Sequence, residues 1–241
     1  MRKSVKIIAF DLDGTLTQHK TKLGVQNQHI LEQLDQHYKL IMVGAGTCQR
    51  IWNQMDQYPI DIIGSYGMQF ATYNKEKQAL VLQWDEQVPV DREEALRRAE
   101  RIRQQFGLFD FAGDTLEFHS TGALTFPVLG TKANLADKLA YDPDRSKRRV
   151  MYPFVKEVFF DYNVMIGGSS SFDIVPGTYG KLNAIRRYLA EKGMNEQEII
   201  YCGDDYYEGG NDYDVYAGGI PFIKVDHFDQ LGEILQENGL L

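Results

Sequence analysis

Cysteine is scarce in this chain: Cys48 and Cys202 are the only two among 241 residues. Each lies in an apolar or glycine-rich setting, so both read as reduced, buried thiols, and a fold stapled by disulfides is not expected. No apolar run approaches the ~20 residues that span a membrane. Residues 1–4 lead directly into a short apolar strand, too brief for a secretion signal, and a cytoplasmic location is the default expectation. Basic tracts are equally rare. Against 34 Asp and Glu stand 26 Lys and Arg, a formal net charge of -8, which argues against a nucleic-acid surface. The densest basic cluster, residues 145–149, reads as the solvated start of a helix. No internal repeat, low-complexity tract or flexible linker is evident. What remains is a soluble, globular composition, 43% hydrophobic and 25% charged, long enough to bury a sizeable core in one or two domains.

The most informative segment is Ile8-Ala9-Phe10-Asp11-Leu12-Asp13-Gly14-Thr15-Leu16-Thr17. Residues 5–10 predict a buried strand, being short, apolar and rich in β-formers. Asp11 and Asp13 then stand at or just past its C-terminal edge, where open α/β sheets bind ligands. Gly14 permits a tight turn, and Thr15 and Thr17 bring hydroxyls to the same mouth. Two carboxylates there can hold a divalent cation, and one can attack phosphorus as a nucleophile.

The surrounding pattern alternates strand and helix. A helix is predicted over 25–36, a strand over 39–43 broken by Gly44-Ala45-Gly46-Thr47, a helix to 57 and a strand over 60–63. Near residue 66 the pattern changes. Strands at 68–73 and 79–84 flank the turn-prone Asn74-Lys75-Glu76-Lys77, and Asp91-Arg92-Glu93-Glu94 has capping-box spacing ahead of a charged amphipathic helix to 105. Further strands are predicted at 116–119, 123–126, 164–166 and 172–175, with helices between 133 and 160. The αβ series then resumes, with helix 179–192, strands 199–202 and 221–225, and helix 228–238. The fold class is therefore α/β: a doubly wound, parallel-sheet, Rossmann-like core from residues 1–83 and 177–241, interrupted by an α+β domain over 84–176.

Phosphoryl transfer from a monoester needs a nucleophile, a cation, donors for the phosphoryl oxygens and an acid for the leaving group. Asp11 and Asp13 offer the first and last. Gly46 and Thr47 place backbone N–H groups and a hydroxyl at a helix start, which reads either as an anion site or as a plain helix N-cap. Lys181, early in its helix, can offset repulsion between a phosphate and Asp11, or can simply be solvated. Tyr201-Cys202-Gly203-Asp204-Asp205-Tyr206-Tyr207-Glu208-Gly209-Gly210-Asn211-Asp212 concentrates hard oxygen ligands of the kind Mg2+ prefers, with Asp204, Asn211 and Asp212 foremost.

Taken in order, these four segments resemble the haloacid dehalogenase-like phosphotransferases, and the inserted domain occupies the position of their cap. The resemblance implies that Asp11 forms an aspartyl-phosphate and Asp13 is the general acid/base. It also implies that Mg2+ is held by Asp11, the Asp13 main-chain carbonyl and Asp204, with Asn211 and Asp212 nearby, while Thr47 and Lys181 bind the phosphoryl group. Within that superfamily, Gly167-Gly168-Ser169-Ser170-Ser171-Phe172-Asp173-Ile174-Val175-Pro176 with Lys181, Gly203-Asp204 with Gly209-Gly210-Asn211-Asp212, and Glu117-Phe118 with Gly122-Ala123-Leu124 resemble eukaryotic-type phosphomannomutase. That likeness assigns Ser171 and Asp173 to the sugar phosphate.

The chain also departs from the family. Where the family's cap arginines grip the distal phosphate, this sequence has His119-Ser120 and Gly130-Thr131, with Lys132 one residue beyond, and Lys20 replaces another arginine. Lysine supplies charge without the planar fork. A weak grip on the second phosphate favours water as the acceptor, so the expectation is a Mg2+-dependent phosphatase of a small phosphorylated metabolite, a sugar phosphate. The alternatives are a hexose-phosphate mutase, in which Lys132 or His119 rebuilds the clamp, and a non-catalytic sugar-phosphate-binding regulator. Beyond the small phosphorylated substrate, the expected partner is a second copy of the chain through the cap, with neither nucleic acid nor membrane.

Overall fold

The computed structural model describes residues 5–241; residues 1–4, expected to lead into the first strand, lie outside them. The chain divides into two compact units. The first comprises the chain up to Asp85, Lys181–Tyr207 and Asp212–Leu241, and the second comprises Glu86–Gly180 with Glu208–Asn211. The inserted unit thus runs somewhat past the expected 84–176 at its C-terminal side, and it takes four residues of the Asp204 loop with it.

The first unit contains β1 (Ile7–Phe10), α1 (Val25–Leu34), β2 (Lys39–Val43), α2 (Cys48–Gln54), β3 (Asp61–Gly64), β4 (Gln69–Asn74) and β5 (Ala79–Asp85). After the insertion its later elements follow the second unit's α3 (Arg92–Phe106), β6 (Glu117–Phe118), β7 (Leu124–Pro127), α4 (Leu135–Tyr141), α5 (Ser146–Val158), β8 (Tyr162–Gly167) and β9 (Ser171–Pro176). They are α6 (Lys181–Lys192), β10 (Ile199–Gly203), α7 (Tyr213–Ala217), β11 (Phe222–Lys224) and α8 (Leu231–Glu237). No helix among the described residues is long and apolar enough to cross a membrane.

Seven strands form the first unit's sheet in the order β11-β10-β1-β2-β3-β4-β5. The first five run parallel, and β4 and β5 close one edge antiparallel. Every residue of β1 is buried, as a parallel strand covered on both faces requires. Its alternate side chains divide between two cores. Ile8 and Phe10 join Leu40 and Met42 under α1, α2 and α8, while Ile7 and Ala9 join Ile41 and Val43 under α6. The chain leaves β1 toward β2 on one side and returns to β10 on the other, so the sheet order reverses beside β1. The C-terminal ends of β1 and β10 therefore border the crevice where such folds bind ligands.

The second unit is a four-stranded antiparallel sheet, β6-β7-β9-β8. Leu124, Phe126, Phe172, Ile174, Val164 and Ile166 face a core shared with α3 and α5. Asp91 caps α3 by accepting from Glu94 N at 3.0 Å. The reciprocal half of a capping box is missing, because the Glu94 carboxylate is taken by Arg97 and Arg98.

The basic cluster departs from the expectation of a solvated helix start. Arg148 is 1% exposed. It pairs with buried Asp142 at 2.7 Å and donates to the carbonyls of Gly167, Gly168 and Ser171, the turn between β8 and β9. The reason is periodicity: on α5, Arg148 falls on the same face as buried Met151 and Val155. The five-residue helix α7 had no counterpart in the sequence pattern. Both cysteines are buried and free, and burial pushes the Cys48 thiol up to about 12.

Candidate active site

Asp11 leaves β1 with its N–H donating to Cys202 O at 2.9 Å, which fixes it against the end of β10. The chain then folds back in a tight turn: Gly14 N donates to Thr17 O at 2.8 Å, and both Leu16 N and Thr17 N donate to Leu12 O. Gly14 sits at φ +101°, where L side chains rarely go, and a Cβ there would fall on the Asp204 carboxylate. Glycine thus lets two distant segments touch. Thr15 Oγ1 completes the contact by donating to Asp204 Oδ1 at 3.2 Å.

Lys181 opens α6 and is 1% exposed, so the solvated reading does not hold. Its Nζ donates to Asp11 Oδ1 at 2.5 Å and to Asp212 Oδ1 at 2.7 Å. Asp212 also accepts from Tyr201 Oη at 2.6 Å and from Asp205 N at 3.1 Å. Asp212 thus shares the Lys181 ammonium with Asp11.

Asp11, Asp204 and Asp212 each offer a carboxylate oxygen, and these atoms all lie within 4.8 Å of one another. One ammonium cannot balance three such groups. Burial, only partly offset by Lys181 and reinforced by Asp212, pushes the Asp11 carboxyl up to about 7. Burial together with Asp11 and Asp212 pushes Asp204 up to about 8. Burial alone would lower the Lys181 ammonium, but the Asp11 and Asp212 carboxylates outweigh it and hold it above its ordinary value. Hard oxygen donors carrying more negative charge than the protein neutralises fit a divalent cation such as Mg2+.

Asp13 has a different setting. Its Oδ1 accepts from Gln54 Nε2 at 2.6 Å and from Lys20 N at 2.7 Å, and its Oδ2 lies 3.9 Å from His19 Nδ1. Its carboxylate is not one of the three that converge. Lys20 meets the site through its backbone, held at φ +60°, and its side chain is exposed. Thr47 is exposed and caps α2 by accepting from Arg50 N at 3.2 Å, the plainer of its two readings. Cys48 N, beside it, donates to Gln69 Oε1 at 3.1 Å. Gly46 O is held by Ser65 N at 2.7 Å.

The remaining candidates belong to the second unit. Asp173 lies on β9 in register with Thr125 of β7 and Met165 of β8, and only a glycine at 167 leaves room for its carboxylate. Ser171 Oγ donates to Gly167 O at 3.0 Å. His119 Nε2 is 2.9 Å from Thr125 Oγ1, and Lys132 is exposed with its N–H on Ala112 O. Asn211 groups with this unit, whereas Asp212 groups with the first.

Thr15 stands at this mouth as expected, but two other participants escaped the sequence reading. Tyr201 lies inside a segment that drew attention for its carboxylates, and its hydroxyl has no sequence signature of its own. Gln54 carries no local signal. It reaches Asp13 because α2 packs beside the turn after β1.

The eukaryotic phosphomannomutase family matches residues 27–222 of this chain. Phosphomannomutase from Schizosaccharomyces pombe is 25% identical over 226 residues, covering 88% of this chain and 85% of that protein. The phosphomannomutase from Spinacia oleracea is 26% identical over 231 residues, covering 89% and 88%. Among solved structures, an IMP-bound, N-terminally truncated IMP-nucleotidase from Plasmodium falciparum superposes with a TM-score of 0.70 at 12% identity, covering 99% of this chain and 69% of that one. A HAD subclass IIB sugar phosphatase superposes with a TM-score of 0.63 at 14% identity, covering 98% and 100%. These two structural likenesses concern the fold.

Proposed function

This chain belongs to the eukaryotic phosphomannomutase family, and from that premise we propose that it is a Mg2+-dependent phosphatase of a small sugar phosphate, working through an aspartyl-phosphate on Asp11. One observation carries the reading. Asp11 lies among the converging carboxylates with Lys181, while Asp13, two residues on, is held separately by Gln54. Two carboxylates in different settings suit two different tasks.

In this reading Asp11 Oδ attacks phosphorus, the bond to the leaving oxygen breaks, and Asp13 gives that oxygen its proton. Asp13 then takes a proton from water, the water oxygen attacks phosphorus, and the bond to Asp11 breaks to release inorganic phosphate. Asp11 and Asp204, with the Asp13 carbonyl, would hold Mg2+, with Asn211 and Asp212 close by. Bound there, the ion would supply positive charge at the phosphoryl oxygens. Lys181 adds charge beside Asp11, and Asp212 with Tyr201 keeps its ammonium oriented. Gly46 and Thr47 would meet the phosphoryl oxygens, and Lys20, Lys132, Ser171 and Asp173 the rest of the substrate. The inserted unit would act as the cap and as the contact to a second copy, in a cytoplasmic enzyme.

Hydrolysis is favoured over transfer by the fate of the inserted unit's buried arginines. The Arg148 guanidinium is consumed by Asp142 and three carbonyls. That of Arg103 is consumed by Thr115 and by the carbonyls of Leu108, Val128 and Pro127. Neither has its fork available for a distal phosphate. Mutase activity is the second reading, favoured by the relatives' activity. Incubation with mannose 1-phosphate and a catalytic amount of hexose 1,6-bisphosphate separates the two. Free phosphate as the product supports the proposal, and 6-phosphate accumulating without it supports the mutase. Asp11→Asn should abolish both, and near-normal turnover by that variant would refute the mechanism.

A further inference from the structure

Arg50 is exposed on the first turn of α2, and its side chain lies against the preceding loop. It curls back so that Nε, Cζ and Nη2 lie where a Cβ on Gly46 would be, and only the missing side chain at 46 leaves that seat open. Among the described residues no carboxylate pairs with it. Its one side-chain hydrogen bond runs from Nη1 to Gln54 Oε1 at 3.3 Å. Gln54 in turn donates to Asp13 Oδ1 and to Thr17 Oγ1. Phe10 pairs with Met42, so Asp11 follows β1 alongside Val43, immediately before the loop of residues 44–47 over which the guanidinium lies.

An arginine fork seated on this loop, without an anion and joined through Gln54 to Asp13, lies between the groups assigned to the phosphoryl oxygens and the group assigned to the leaving oxygen. We propose that Arg50 is a substrate-binding residue whose guanidinium takes a non-bridging oxygen of the substrate's phosphoryl group, with Gly46 kept small to seat it. This rests on the reading of the site as a phosphoryl-transfer centre and adds a core arginine to it. The fork suits this task because two of its N–H groups can meet two oxygens of one phosphoryl group.

The test is calorimetric titration of inorganic phosphate into the Mg2+-loaded protein, together with kcat and KM for an aryl phosphate. Arg50→Ala should weaken phosphate binding by about tenfold or more and raise KM to match, through loss of a charge-assisted bond. Arg50→Lys should fall between, since it restores charge without the fork. Gly46→Ala should displace the guanidinium and weaken phosphate binding too. The Gly46→Ala, Arg50→Ala double variant should be no weaker than Arg50→Ala alone, a non-additivity that a general disturbance of the loop would not produce. Thermal melts of Arg50→Ala should match the parent, because the side chain is exposed and makes no ion pair. Phosphate affinity within about twofold of the parent in Arg50→Ala, or fully additive losses, overturns the assignment of Arg50. A parent protein that neither turns over the aryl phosphate nor binds phosphate overturns the phosphoryl-transfer reading and this assignment with it.

Discussion

The side-chain amide of Gln54 donates to Asp13 at 2.6 Å and to Thr17 at 3.2 Å, tying α2 to the turn that follows β1. This bond holds the Asp13 carboxylate apart from the group formed by Asp11, Asp204 and Asp212. A proton donor to the leaving group matters most when that group is a poor one. Gln54→Ala should therefore lower kcat for a sugar phosphate by about tenfold while lowering it much less for an aryl phosphate. Steady-state kinetics on both substrates checks this; equal losses on the two would argue against a role exerted through Asp13.

Among the described residues, Lys181 is the cation within ion-pair distance of both Asp11 and Asp212. Lys181→Met leaves two buried carboxylates without their counter-charge, a loss of about 3–5 kcal/mol when the pair is broken from one side. Urea unfolding at pH 8 without metal should show this loss. Turnover should disappear, and added Mg2+ should restore part of the stability but no activity.

The carboxylate group should make the metal-free protein sensitive to alkali. Asp11 and Asp204 sit at about 7 and about 8 in the fold, against about 3.9 in an unfolded chain. Because the folded values are raised, the folded state holds more protons between about pH 4 and pH 8, and stability falls as pH rises across that window. Differential scanning calorimetry in chelator should show a Tm that declines from pH 5 to pH 8. Mg2+ should flatten the decline, raising Tm more at pH 8 than at pH 5. A Mg2+ effect independent of pH would contradict a site built on these carboxylates.

In the second unit, Arg148→Met should leave Asp142 buried and unpaired, and should free the carbonyls of Gly167, Gly168 and Ser171. The expected cost is about 3–5 kcal/mol. Hydrogen exchange should quicken in β8 and β9, while protection of β1 and β10 in the first unit stays near that of the parent. Uniform loss across both sheets would show that the two units unfold as one.

The legible parts of this protein are those written in local pattern. The all-apolar β1, the apolar run of β2 after Lys39, the helical spacing of α1, the two carboxylates after β1 and the glycine-bounded Asp204 segment each follow from neighbours a few residues apart. The parallel, doubly wound sheet follows from their alternation. The misread arginine shows where such reading stops. Residues 145–149 look solvated because four of the five are charged and the fifth is a serine, yet one position of that run faces the core and meets Asp142. Thr47 shows the same limit from the other side: a hydroxyl at a helix start is consistent with two roles, and its bond to Arg50 N, which the sequence could not show, establishes the capping one.

By itself, then, the sequence determined the type and order of most elements and the identity of the acidic groups, because backbone preference and hydrophobic periodicity act over a few residues. Tertiary structure alone decided which carboxylates converge, that Asp13 stands apart on Gln54, and where the Lys181 and Arg50 charges are seated. Those contacts join residues as distant in the chain as Asp11 and Lys181, 170 positions apart, and a Coulomb interaction depends on distance and burial in space, which no interval along the chain encodes.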